Sequence, residues 1–284
     1  MLGDQTPNPT SLVSVYQRLN RIGSAPDFKA FDLASTIEPA FAERPEIPLS
    51  GLILETRVHK NLDFIIALVQ KRLGIPSLLV HGTDNRDFIL KSRIIQRLIH
   101  EKKLVTRELP VGKITRSQYN SIFLSKALWQ ATIPSEKVLV FQTDATLCRL
   151  SPYRVKDFAE YDYVGSYRRN PRSIQATVHG GNGGLSLRSK AGMVAAIEIG
   201  APKLWPGGED DYFGAHLEVL GLSVAGTAAQ KRFCSQHLFA KPSFGVHNPG
   251  GISRLKFVLL LLYCPSALRC HRGSLFGVRM STAW

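Results

Sequence analysis

The sequence predicts an α/β fold built on a mixed, mainly parallel sheet with helices on its faces. Two observations carry that expectation. From Leu49 to Gln142, apolar runs of strand length alternate with longer amphipathic stretches. The connections between them are short, the pattern expected where each strand is joined to the next through a helix packed on the sheet.

The elements follow in order. LSGLILETR (49–57) is a strand ending in polar residues, and NLDFIIALVQKRLG (61–74) an amphipathic helix with Asn61 at its start and Gly74 at its stop. SLLVHGTDN (77–85) is a second strand running into turn formers, RDFILKSRIIQRLI (86–99) a second helix and KLVTREL (103–109) a third strand. A helix capped by Thr115 or Ser117 runs to Gln130, and VLVFQ (138–142) is the fourth strand. Beyond Arg149 the alternation loosens. EYDYVGSYRRNPR (160–172) supplies a short strand and a basic loop, HGGNGGLSLRSKAGMVAAIEIG (179–200) a glycine turn, a strand and a helix, and GGEDDYFGAHLEVLG (207–221) a helix opening on three acids. The six prolines of residues 1–48 mark a lead-in segment with one short helix near Leu12–Leu19, so the domain is expected over 49–250, followed by a basic tail, 251–284.

Composition narrows the function. The 284 residues are 44% hydrophobic and 20% charged, an ordinary globular balance, and 36 Lys and Arg against 22 Asp and Glu give a net charge of +14. Such a surplus favours anionic partners. Part of it is local, because 251–284 holds five Lys and Arg and no acid. No nucleic-acid recognition motif accompanies the charge, so no nucleic-acid partner is expected. No window approaches the ~20 apolar residues that span a bilayer, and the N-terminus lacks a signal-peptide pattern. As written the chain reads as cytoplasmic, or as resident in the secretory-pathway lumen if its start is truncated. Cys148, Cys234, Cys264 and Cys270 lie at no zinc or CxxC spacing and are expected to be buried or incidental thiols rather than a structural zinc site or a disulfide framework.

Chemistry concentrates at the strand ends, where ligands of parallel sheets bind. Glu55-Thr56-Arg57, the turn at His81–Asp84 and Gln142-Thr143-Asp144 all lie there. Asp144 ends a core strand, and an ionised carboxylate there either caps a turn or holds a ligand, since unpaired burial costs several kcal/mol. HGGNGG is neither a Walker motif nor a GxGxxG fingerprint; its glycines either let the backbone approach a ligand or form a hairpin. Glu209, Asp210 and Asp211 share a first helical turn, where the macrodipole stabilises an acid by ~0.3–1 kcal/mol. Three successive acids repel one another, and one near a sugar hydroxyl could act as general base. His247 lies among turn formers, and Arg168, Arg169 and Arg172 form either a phosphate-facing cluster or a solvated loop.

Together, LETRVHKNLDFII, VHGTDN, VLVFQTDATLC, YDYVG, GNGGLSLRSK, EDDYF and FGVH resemble a family of glycosyltransferase-like proteins known only as a domain of unknown function. Their order, a strand ending in a D-x-D-like tripeptide, a glycine loop, a Glu-Asp helix start and a C-terminal His, looks like the GT-A core on its Rossmann-type sheet. The resemblance spans roughly residues 50–249. It implies a hexosyltransferase-type enzyme that moves a sugar from a nucleotide-sugar donor to a glycan, protein or small-molecule hydroxyl, metal-assisted and inverting; the alternative is a non-catalytic GT-A-fold nucleotide or glycan binder. By position, Asp144 and His247 would hold Mn2+ or Mg2+, and Glu55, Thr56, Arg57, Gln142 and Thr143 would lie near the nucleotide. Gly181, Asn182, Gly183 and Gly184 would line the sugars, and Asp210 would be the base. Two departures stand out: Gln142 replaces the first acid of D-x-D, and Asp211 stands where an apolar residue is expected, which leaves the choice between the two aspartates open.

Overall fold

A computed structural model describes residues 28–40, 46–167, 179–205, 207–236, 239 and 242–270. Its centre is a six-stranded sheet ordered β3-β2-β1-β4-β7-β6, where β1 is Ile47–Leu54, β2 Ser77–His81, β3 Leu104–Glu108, β4 Ser135–Phe141, β6 Tyr163–Ser166 and β7 Asn182–Ser189. Strands β1 to β4 are mutually parallel; β7 runs antiparallel to β4, and β6 antiparallel to β7. This is the mixed, mainly parallel α/β sheet that the sequence predicts.

Both faces of the sheet are covered, so the strands read as nearly continuous apolar runs. Successive residues divide between two cores. Leu52, Leu54, Leu78, Val80, Val138 and Val140 pack on one side, with residues of α1 (Phe28–Ser35), α5 (Arg116–Phe123), α6 (Lys126–Ala131), α7 (Lys190–Ile199) and α8 (Glu209–Val219). Ile53, Leu79, Leu139 and Phe141 face the other, with residues of α2 (Leu62–Leu73), α3 (Arg86–Lys91), α4 (Arg93–His100) and α9 (Thr227–Phe233). A small second sheet, ordered β5-β9-β8, joins Ala145–Leu147, Gly245–His247 and Cys234–Ser235.

Four expectations are corrected. The stretch 86–99 is two helices, because extended Ser92 breaks the first and caps the second by accepting from Ile95 N. The stretch after Thr115 is also two, parted at Leu124–Ser125; Thr115 forms a capping box with Gln118. The expected lead-in segment contributes to the domain, since α1 sets Ala30, Phe31 and Ala34 into the core shared with α5. The cysteines include a bridge, Cys148–Cys264, that ties β5 to the segment after helix α10 (Arg254–Tyr263), while Cys234 and Cys270 are buried free thiols. The described part of the basic tail, 251–270, thus carries helix α10 and a following 3-10 turn. The short helix expected near Leu12–Leu19 lies outside the described residues.

Candidate active-site cleft

The strand order sets the position of the cleft. From β1 the chain steps outward to β2 and β3, then returns to place β4 on β1's other side. That reversal opens a crevice beyond the carboxyl ends of β1 and β4. There a cleft of about 490 Å³ is lined by residues 54–57 after β1, 142–144 after β4, 182–184 of β7, 208–210 at the start of α8, and His247 of β9.

Glu55 and Thr143 are neighbours because β1 and β4 run side by side in register, Leu52 opposite Val140. The Thr143 hydroxyl donates to Glu55 Oε2 at 3.1 Å, and Arg57 grips both Glu55 oxygens at 2.8 Å. Glu55 is 6% exposed, so this charge pairing offsets its desolvation. The hydrogen bond to Glu55 is the main reason that Arg57 is held above its ordinary pKa. Glu55 therefore acts as the clasp that aims Arg57, while the Thr56 hydroxyl accepts from Ile114 N and anchors the loop after β3.

Asp144 meets His247 because β5 pairs antiparallel with β9, Ala145 opposite His247. His247 Nε2 lies 3.3 Å from Asp144 Oδ1 and 3.3 Å from Gln142 Oε1. The Gln142 amide is aimed by Tyr119, whose hydroxyl accepts from Gln142 Nε2 at 2.9 Å. Burial pushes the Tyr119 hydroxyl well above its ordinary pKa, so it stays protonated. His247 Nε2 is thus within reach of both oxygens, and its buried Nδ1 has no hydrogen-bond partner among the described residues.

Among the described residues no group of three or more His, Cys, Asp or Glu converges as a metal site. Asp144 and His247 alone offer one carboxylate and one imidazole. That donor set fits Mg2+ or Mn2+ only where substrate oxygens and water complete the shell, the way such ions are commonly held beside phosphates.

The glycines serve close packing. A Cβ on Gly184 would stand 2.1 Å from His247 Nε2, and one on Gly183 2.4 Å from both Arg188 Nη2 and Glu209 Oε1. Gly183 N donates to Asp210 Oδ2 at 3.1 Å, and Gly184 N to Asn182 Oδ1 at 3.0 Å. These residues belong to a strand, while Gly181, at φ +87°, lies just before it and outside the cleft lining. Asp210 Oδ1 also accepts from Asp211 N. Of the two aspartates, Asp210 faces the cleft; Asp211 is 5% exposed and does not line it.

Beneath Asp210 lies a buried ion pair. Arg188 Nη1 and Nη2 reach Glu209 at 2.5 and 2.9 Å, with the guanidinium 5.1–5.7 Å from the ring centres of Phe123, Trp129, Tyr163 and Phe213. Burial opposes the Arg188 charge, yet Glu209 outweighs it and holds the guanidinium above its ordinary pKa. The repulsion expected among three successive acids is relieved here.

The cleft thus gathers Glu55, Thr56, Arg57, Gln142, Thr143, Asp144, Asn182, Gly183, Gly184, Asp210 and His247, and leaves out Gly181 and Asp211. Arg168, Arg169 and Arg172 lie outside the described residues. The sequence reading missed Lys113, Arg116, Tyr119, Asn120, Gln236 and Asn248, which also line it. Lys113 and Arg116 follow the end of β3, so the strand-end rule applied once more would have found them.

No curated protein matches the chain. Among solved structures, the mannosyltransferase PcManGT from Pyrobaculum calidifontis, in complex with GDP-Man and Mn2+, is similar at 14% identity and TM-score 0.41. That likeness covers 77% of this chain and 64% of PcManGT, so the chain spans just under two thirds of that protein's length. A protein described as a glucose-1-phosphate thymidylyltransferase from Bacillus anthracis, in complex with a sucrose, is similar at 10% identity and TM-score 0.36, over 60% of this chain and 83% of its own. The mannosyltransferase Ktr4p from S. cerevisiae, in complex with GDP, is similar at 10% and 0.36, over 79% and 84%. Residues 105–247, which carry Asp144, Asp210 and His247, match a family described as "Protein of unknown function (DUF5672)"; they make up half of the chain, which belongs to that family.

Proposed function

We propose that this protein is a glycosyltransferase that moves a sugar from a nucleotide-sugar donor to a hydroxyl acceptor by a single, inverting displacement on a GT-A-type core. The observation that carries the reading is the convergence of Asp144, His247 and Asp210 on one crevice at the β1/β4 switch point. Arg57, Lys113 and Arg116 give that crevice a cationic side suited to a diphosphate. Asp210 takes the proton of the acceptor hydroxyl as its oxygen attacks the anomeric carbon, and its two backbone N–H bonds fix the carboxylate for that task. A divalent cation, Mn2+ or Mg2+, held by Asp144 and His247, would supply neutralisation of the charge that collects on the departing diphosphate. Asp144→Ala and Asp210→Ala are each expected to abolish donor hydrolysis or transfer, and wild-type turnover in both variants would overturn the assignment.

A second reading, a non-catalytic nucleotide or glycan binder, is favoured by one contact: Gln142 offers His247 a neutral amide where D-x-D has an acid. A donor that binds but is never turned over, across a panel of nucleotide sugars, would select it.

The Cys148–Cys264 bridge supports the secretory-pathway lumen over the cytoplasm, because such bonds persist in oxidising compartments. Alkylation of the denatured, unreduced protein is expected to label the two thiols of Cys234 and Cys270 alone; labelling of all four cysteines would remove that support.

A further inference from the structure

Helix α10 buries Phe257, Leu260 and Tyr263 against a small third core and presents a second apolar face outward. Leu255, Val258, Leu259 and Leu262 are 75, 47, 46 and 70% exposed, and Leu268, on the turn that follows, 42%. Their spacing of three, four and seven residues places the helical four on one stripe. Isolated exposed leucines are ordinary, but a continuous stripe of this kind marks a contact surface. The helix cannot roll to bury it, because the Cys148–Cys264 bridge and the Leu150 N to Tyr263 O hydrogen bond fix its C-terminal end.

Charge selects the occupant. Arg254 and Lys256 are exposed beside the stripe, and no acidic residue occurs anywhere from 251 onward. A second copy docked by a two-fold axis would bring these like charges together. A protein partner would be expected to meet aromatic anchors, whereas this ridge is aliphatic throughout. A convex aliphatic ridge with basic flanks suits a helix lying in a lipid interface, its leucines among the acyl chains and its cations at anionic headgroups. At ten residues the helix is about 15 Å long, and no described helix is long and apolar enough to cross a membrane. We infer that the outer face of α10 is a docking surface for the anionic surface of a lipid bilayer. This does not rest on the sugar-transfer reading.

The test is co-sedimentation of the full chain with phosphatidylcholine vesicles, with and without phosphatidylserine. The protein is expected to sediment with the anionic vesicles, less so as salt rises. Lys256→Glu is expected to weaken partition at least about fivefold, as each basic residue near such a surface contributes about that factor. Leu255→Glu/Leu262→Glu is expected to abolish it without changing the melting temperature, since both side chains are solvent-exposed. Partition unaffected by the leucine pair overturns the inference. So does a folded protein that ignores both vesicles, which leaves an acidic protein as occupant, and so does a dimer dissolved by the leucine pair with no vesicle binding.

Discussion

Replacing Arg188 with Met removes one half of an ion pair sealed in the core, and the structure sets the size of the effect. Arg188 is 0% and Glu209 4% exposed, so the variant leaves a nearly fully buried carboxylate without its guanidinium. Leaving one member of such a pair unpaired costs about 3–5 kcal/mol. The four surrounding rings also lose their cation. For a protein of this size each kcal/mol moves the melting temperature by about 2–4 °C, so a fall of roughly 10 °C is expected. Glu209→Gln should be comparably harmful, because it leaves the guanidinium as the unpaired charge. Combining Arg188→Met with Glu209→Leu removes both charges, and the double variant should regain at least about 2 kcal/mol over Arg188→Met. Urea melts of wild type, both single variants and the double variant supply the measurement. A loss below about 1 kcal/mol in Arg188→Met, or a double variant no more stable than it, would refute the reasoning.

Three further outcomes are expected. Gly184→Ala places a Cβ 2.1 Å from His247 Nε2, where ordinary contact begins near 3.4 Å, so the imidazole must leave Asp144; a stability loss of about 1–3 kcal/mol and lost nucleotide binding are expected by melting and calorimetry. Burial holds His216 below its ordinary pKa of 6.5, so the unfolded chain takes up a proton that the folded protein resists; its contribution is complete above about 6.5 and declines as pH falls toward the folded value. Melts across that range should show the decline in wild type and a flatter profile in His216→Gln. Removing the Cys148–Cys264 bridge as Cys148→Ser/Cys264→Ser opens a link across 116 residues and should cost about 4–5 kcal/mol, matched by treating wild type with a dithiol reductant before the melt.

Much of the sheet was legible because strands buried on both faces carry unbroken apolar runs: VLVF of β4 and LLV of β2 admit little else. Gly74 marked the end of α2 through its left-handed conformation, φ +68°. The breaks at Ser92 and at Leu124–Ser125 were hidden because the apolar periodicity runs through both, and a mid-pattern serine does not declare itself a cap. Helix α1 was masked by the prolines around it; its evidence is tertiary, the fit of Ala30 and Phe31 beside α5. At the site, strand ends exposed Glu55 to Arg57 and Gln142 to Asp144, which depend only on local order. Tyr119 sits a turn inside a helix, and only the fold brings it to Gln142. The same holds for Arg188 and Glu209, and for Cys148 and Cys264, whose pairing no spacing could assign.

The central proposal is that Asp144, in the turn between β4 and β5, helps hold a nucleoside diphosphate through a shared cation. Calorimetric titration of UDP and GDP with and without Mn2+, on wild type and Asp144→Ala, tests it most directly. One nucleotide is expected to bind wild type in a Mn2+-dependent manner and to lose that dependence in the variant. Binding indifferent to Mn2+ and to Asp144→Ala, or no binding of either nucleotide, would contradict the account.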